Sequence, residues 1–134
     1  MPFIRIDLIK GRPDSEIAAI GDAIQHALVE CLNVPERDRF QVITEHAPTR
    51  LIYDPAYLGG ERSAGIVFVQ VFLSSGRTAE QKKAFYARAT SLLESEAGVR
   101  PQDATIVLVE NTREDWSFGN GIAQYLVLTK EQWK

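Results

Sequence analysis

The stretch Ile66-Val67-Phe68-Val69-Gln70-Val71-Phe72-Leu73-Ser74-Ser75-Gly76-Arg77-Thr78 decides the fold, because it restarts a pattern the chain has already run once. An apolar, beta-branched run leads into Gly76-Arg77, just as Phe3 to Ile9 leads into Gly11-Arg12. Subtraction fixes the register: Gly76 minus Gly11, Arg77 minus Arg12, Val99 minus Val34 and Asp103 minus Asp38 all give 65. The same offset pairs Phe3 with Phe68, Ala19 with Ala84, Leu28 with Leu93, Val42 with Val107 and Glu45 with Glu110. Strands fall on strands and helix on helix without a gap.

Each unit reads strand, helix, strand. In the first, Phe3 to Ile9 alternates Phe3/Arg5/Asp7/Ile9 with Ile4/Ile6/Leu8, which gives a strand with two differently used faces. Pro13, Asp14 and Glu16 then open a helix, since proline suits a first turn and early acids suit the positive end of the helix dipole. Ile17, Ile20, Ile24, Ala27, Leu28 and Cys31 recur at three- and four-residue spacing, so the helix runs from about Pro13 to Leu32, where Asn33 and Pro35 stop it. Arg39 to Glu45 is the second strand.

The second unit repeats this as a strand Ile66 to Leu73, a helix from Thr78 to about Ala97 and a strand Thr105 to Glu110. Thr78 and Gln81 fit a capping box, Gly98 suits a left-handed helix end, and Phe85, Ala89, Leu92 and Leu93 form the inward face. Between the units, His46 to Ala64 carries Pro48, Pro55, Gly59 and Gly60, a loop with one short hairpin strand near Leu51-Ile52-Tyr53. After the turn Trp116 to Gly121, a last short strand is expected near Gln124 to Leu128.

The expected class is therefore α+β: a tandem β-α-β repeat forming a four-stranded mixed sheet with two helices on one face, plus short hairpin strands. The 134 residues suit one domain, 1–134, with repeat units of about 2–46 and 66–111. Two helices leave the opposite face of the sheet to be covered, and a second copy of the chain does this most simply. An oligomer is expected.

Composition removes several classes of function. A net charge of -3 supplies no broad basic field for a phosphate backbone, which argues against nucleic acid. No run could span a bilayer, and Met1 to Asp7 lacks the form of a secretory signal, so a soluble, cytoplasmic protein without membrane contact is expected. Cys31 is the single cysteine, which excludes an intrachain disulfide and zinc spacing of the Cys/His type. It lies on the helical stripe and reads as a small core residue. His26 and His46 have no ligand partner at metal spacing and read as structural, and Thr112-Arg113-Glu114-Asp115 reads as a solvated turn.

Tandem units of this kind pack about a pseudo-twofold axis with strands one and three antiparallel. The start of strand one, Pro2, then lies beside Ser74 to Arg77 at the end of strand three, and beside Asp38 and Arg39 at the start of strand two. An amine, a carboxylate and a guanidinium converge. The counterpart of Pro2 is Val67, an internal residue, so only the true N-terminus supplies an amine, once Met1 is removed. A free α-amino group titrates at about 7.7–8.0 and can act as base or acid near neutrality. Arg77 opposes the dipole of the helix it precedes, which points to anion binding there.

Pro2 opening a strand, Val34-Pro35-Glu36-Arg37-Asp38-Arg39, Glu80-Gln81-Lys82 after Arg77, and Val109-Glu110-Asn111 through Asp115-Trp116-Ser117-Phe118-Gly119 together resemble the malonate semialdehyde decarboxylase branch of the tautomerase superfamily. The resemblance covers nearly the whole chain. It implies a homotrimer without metal or organic cofactor, acting on a small carboxylate-bearing substrate. It also implies that Pro2 works with an aspartate matching Asp38 and with two arginines, one residue apart, at the end of strand three. Arg77 matches the second; the first falls on Ser75, which donates one hydrogen bond and carries no charge. Trp116 and Phe118 match aromatic residues lining the family's pocket.

The expected catalytic residues are thus Pro2, Asp38 and Arg77, with Ser75, Arg39, Trp116 and Phe118 binding substrate. The leading chemistry is keto-enol tautomerisation of a small 2-oxo acid, since it needs a single strong cation. Decarboxylation of malonate semialdehyde or a related 3-oxo acid is the alternative, with Arg39 or a neighbouring subunit supplying the missing charge. Hydration of an unsaturated acid and non-enzymatic binding on the same scaffold stand behind these.

Overall fold

The computed structural model describes residues 2–133. Its elements are β1 (Phe3–Ile9), α1 (Asp14–Leu32), β2 (Gln41–His46), β3 (Val67–Ser74), α2 (Ala79–Ala97), β4 (Ala104–Asn111) and a one-turn α3 (Gln124–Val127). The four strands form one sheet in the order β2-β1-β3-β4. β1 runs parallel to β2, β3 runs parallel to β4, and β1 and β3 meet antiparallel at the centre. Adding 65 to the bounds of α1 gives those of α2, so the repeat read from sequence is the repeat in space.

The helix ends explain why the two copies share boundaries. Asn33 and Gly98, one repeat apart, both adopt left-handed backbone (φ 55 and 66) and close their helices. Gly11 and Gly76, also one repeat apart, have φ 137 and 126 where each central strand turns toward its helix, a region that favours glycine. At the start of α2, Thr78 and Gln81 form the expected reciprocal capping box.

One sheet face and the inner faces of both helices make the core. Ile4, Ile6 and Leu8 of β1 and Val67, Val69, Val71 and Leu73 of β3 alternate inward. They meet Ile20, Ile24 and Leu28 of α1 and Phe85, Ala89 and Leu93 of α2. Cys31 packs partly buried against this cluster, and the helices are tied by a two-pronged Arg88–Glu30 contact (2.7 and 3.3 Å). The other face carries Val42, Val107 and Val109, which are 38%, 50% and 37% exposed. Those are high values for valines in the middle of strands. His46 meets Asp7 on that face at 2.6 Å, and His26 lies 3.5 Å from Glu96 on the helix side. Among the described residues, no helix is long and apolar enough to cross a membrane.

Two segments differ from the sequence reading. The loop expected to hold a hairpin strand instead has a single 3-10 turn at Tyr57–Gly59, and the strand expected near Gln124 to Leu128 is the one-turn α3. Both have the same cause. A short strand needs an edge to pair with, and neither segment finds one within the chain, so each closes its backbone hydrogen bonds locally.

Candidate active site

The hydrogen-bond ladders bring the N-terminal end of the chain together. Phe3 pairs with Phe72, which sets Pro2 at the level of Leu73 and Ser74, and the Ile4 amide donates to the Phe40 carbonyl at 2.9 Å. Pro2 is buried there. Its neighbours are therefore the turn before β2, carrying Asp38, and the turn after β3, carrying Ser75 and Arg77. These are the elements that sequence and topology placed side by side.

Asp38 is held by its backbone. Its amide donates to the Pro35 carbonyl at 3.0 Å, and Gln25 Nε2, from α1, donates to the carbonyls of Asp38 (3.2 Å) and Glu36 (3.3 Å). Gln25 is only 3% exposed, so this turn is pinned to the helix from beneath. Burial pushes the Asp38 carboxyl above its ordinary value, against the opposing positive charges of the amino terminus and Arg77. The net result is a carboxyl that holds its proton more readily than a surface aspartate.

Arg77 is anchored too. Its Nε and Nη2 donate to the Leu32 carbonyl at 3.3 and 3.1 Å, and its Nη1 donates to the Ser74 carbonyl at 2.9 Å. Leu32 is the last residue of α1, so the guanidinium sits at the negative end of that helix. This accounts for a cation placed ahead of α2: it serves the helix next door. Among the described residues, three of the five guanidinium N–H groups are used in this way, which leaves two for a ligand. Nearby, Glu110 pairs with Lys82, and its carboxyl is held below the ordinary value chiefly by that bond and more weakly by the Gly76 amide and Arg77.

The aromatic residues gather on one side. Trp116 stacks on Phe118 with ring centres 5.5 Å apart, Phe118 meets Tyr125 edge-on at 5.2 Å, and Phe40 lies 6.1 Å from Phe118. Trp116 Nε1 donates to Asn111 Oδ1 at 2.7 Å, which fixes the indole against the end of β4. Phe3, Phe40, Asp115, Trp116, Ser117 and Phe118 line a hollow of about 400 Å³. A second hollow, of about 450 Å³, is lined by Ser74, Ser75, Thr112, Arg113, Glu114 and Leu126.

Of the site residues expected from sequence, Pro2, Asp38 and Arg77 converge, Trp116 and Phe118 line the aromatic hollow, and Ser75 lines the second one. Arg39 is engaged elsewhere: its Nη2 is 2.8 Å from Asp22 Oδ1 and 3.1 Å from Gln41 Oε1, along α1. Within the chain it follows its strand to the helix side. Met1, whose removal the amine chemistry requires, lies outside the described residues.

Two residues that sequence reasoning passed over belong to this region. Gln25 could have been found as a polar residue on the apolar stripe of α1, between Ile24 and Ala27. Tyr125 gave no such sign. Burial and the Asp38 carboxylate push its hydroxyl up to about 12, while Arg77 and Arg113 pull the other way. Its hydroxyl stays protonated near neutrality and can donate a hydrogen bond.

Comparison with known proteins shows the family. Two family profiles, both described as tautomerase enzyme, match residues 38–119 and 2–60. A probable tautomerase of Bacillus subtilis (strain 168), YusQ, is 43% identical over 94% of this chain and 99% of its own length. Among solved structures, a malonate semialdehyde decarboxylase is 38% identical with a TM-score of 0.88, covering 92% of this chain and 95% of that one. The FG41 malonate semialdehyde decarboxylase, solved inhibited by 3-bromopropiolate, is 45% identical with a TM-score of 0.87, covering 92% and 94%. A fused 4-OT symmetric trimer, 21% identical over 93% and 98% of the two chains with a TM-score of 0.75, shares the fold.

Proposed function

The chain belongs to the tautomerase family, and from that premise we propose that it is an enzyme whose free Pro2 amine interconverts the keto and enol forms of a small 2-oxo acid. The observation that carries the reading is the convergence of Pro2, Asp38 and Arg77 at one end of the sheet. In this reading Pro2 acts as the neutral amine, the form that can accept a proton. The nitrogen lone pair takes the proton from the carbon next to the carbonyl, and the electrons move into an enolate. The two remaining Arg77 N–H groups hold the substrate carboxylate. The resulting ammonium returns its proton to carbon in the reverse direction, or to the enolate oxygen by way of Asp38. No metal or organic cofactor takes part in these steps.

A second reading, decarboxylation of malonate semialdehyde or a related 3-oxo acid, is favoured by the two solved decarboxylases at 38% and 45% identity. There a cationic Pro2 polarises the carbonyl while Asp38 orients the departing carboxylate. Ser75 weighs against it in this chain, since it leaves a single anchored arginine at the end of β3. Both readings require the same amine. Assaying wild type and Pro2→Ala on phenylpyruvate and on malonate semialdehyde separates them: the substrate whose turnover falls at least about a hundredfold identifies the chemistry. Unchanged turnover of both contradicts an amine mechanism and points to the scaffold as a binding protein.

We further propose a homotrimer closed over the uncovered sheet face. The exposed Val42, Val107 and Val109 support this, as does the shared fold with a protein solved as a trimer. Sedimentation equilibrium tests it directly, and a monomer at micromolar concentration would contradict it.

A further inference from the structure

We propose that Asn111 is a positioning residue of the site: its side-chain carbonyl sets the Trp116 indole as the wall on which an aryl or other flat apolar side chain of the 2-oxo acid rests. The inference rests on the Pro2 reading, since it concerns the part of the substrate that lies away from the amine.

Asn111 closes β4 and works in two directions. Its main-chain carbonyl accepts from the Ser75 amide at 2.8 Å, just beyond the last ladder pair, Ser74 with Asn111. Its side-chain Oδ1 accepts from Trp116 Nε1 at 2.7 Å. An indole nitrogen is a donor only, so the atom that meets it has to be the side-chain oxygen and not the amide nitrogen. The turn between the two residues is braced as well: Asp115 Oδ2 accepts from the Thr112 amide and hydroxyl at 2.8 and 2.9 Å. Trp116 then stacks nearly parallel on Phe118, with 15° between the ring planes, and Phe40 and Tyr125 meet Phe118 in turn. One hydrogen bond orients the first ring, and that ring orients the stack lining the aromatic hollow.

The internal repeat shows that the fold does not require this side-chain bond. At the other end of the sheet the counterparts of Asn111, Trp116 and Phe118 are His46, Leu51 and Tyr53. The backbone half is copied there: the Lys10 amide donates to the His46 carbonyl at 2.9 Å, as the Ser75 amide does to Asn111. The side-chain half is not. The His46 ring meets Asp7 Oδ1 at 2.6 Å, and Leu51, which has no side-chain donor, is buried with Ile9 and Ile66 while Tyr53 and Phe68 pack against them. Apolar packing fills that end. At the working end a polar bond holds a flat ring at the edge of a hollow of about 400 Å³ instead. A ring fixed in orientation while one side stays open is what a wall for a ligand needs.

Any residue at position 111 supplies the main-chain carbonyl to Ser75, so a substitution there changes only the indole contact. Asn111→Ala should raise KM for phenylpyruvate roughly fivefold or more, while KM for oxaloacetate, which carries no ring, moves less than about twofold. Asn111→Asp keeps an acceptor for the indole and should recover most of the loss. In a Trp133→Phe background Trp116 is the single tryptophan. Titrating its fluorescence with 3-phenyllactate, which needs no turnover, should show the same weakening on adding Asn111→Ala. Equal phenyllactate affinity with and without Asn111→Ala, no binding to either, a parallel change of KM on both oxo acids, or an Asn111→Asp no better than Asn111→Ala overturns the proposal. Pro2→Ala reads the amine separately: full activity in that variant contradicts the Pro2 reading, and the fluorescence titration still decides Asn111.

Discussion

The molecule has two ends related by its internal repeat, and they have been finished in opposite ways. At one end, Pro2, Asp38 and Arg77 meet; at the other stand their counterparts, 65 positions away: Val67, Asp103 and Arg12. Asp103 is 1% exposed and accepts from the Ser63 amide at 2.7 Å and the Ser63 hydroxyl at 2.6 Å, while Arg12 Nη2 donates to the Gly65 carbonyl at 2.7 Å. Residues 63–66, arriving to begin β3, fill the space and satisfy both charged groups. An ideal Cβ on Gly65 would lie 3.0 Å from Asp103 Oδ2, which shows how tightly that end is closed. At the first end the Arg77 guanidinium is bonded instead to the Leu32 and Ser74 carbonyls, with Asp38 in its field. The same carboxylate and guanidinium are therefore a structural staple at one end and part of a candidate site at the other.

The largest effect that could break this comparison is on activity. Asp38→Asn should lower kcat by about a hundredfold, whereas Asp103→Asn should leave kcat per folded molecule within about twofold, as read by steady-state assay. Equal losses would mean that the two ends are not divided between work and structure.

Stability should divide the other way. Asp103→Ala leaves the Ser63 donors buried without their acceptor and should cost about 3 kcal/mol in denaturant unfolding. Asp38→Asn should cost nothing at neutral pH and give a small gain. The sign follows from the raised Asp38 carboxyl: the folded state binds the proton more tightly than the unfolded state, so Asp38 destabilises once pH exceeds its unfolded value. That destabilisation grows until pH passes the raised folded value and is absent below the unfolded value. Unfolding curves of both proteins at pH 7 and near pH 3 check this, and a wild type that is the more stable at pH 7 would reverse the argument.

A smaller effect sharpens the comparison within the working end. Ser75→Arg restores a second arginine beside Arg77 and should shift the ratio of malonate semialdehyde turnover to phenylpyruvate turnover upward by several-fold, roughly one charge-assisted contact. Parallel changes in both rates would show that Ser75 does not choose between them.

The division between ends was partly legible in the chain itself. The 65-residue offset gave both β-α-β units because glycine turns, helix caps and apolar stripes are local features that repeat with their elements. Val67 standing opposite Pro2 already marked one end as lacking an amine. What could not be read was set by partners distant in sequence. That Arg77 also serves the end of α1 could not be read, since the Leu32 carbonyl that takes two of its donors lies 45 residues away. Arg39 left the site for Asp22, and Tyr125 entered it on a segment that read as a strand. A periodic pattern reports which face is buried; it does not report which backbone carbonyl a long side chain will reach.

The account turns on the amine proposed for the first end, which has no counterpart at the second. Intact-mass measurement of the purified protein tests it most directly. A mass short by one methionine residue, with Pro2 as the first residue, is the predicted result; a chain retaining Met1 would contradict it.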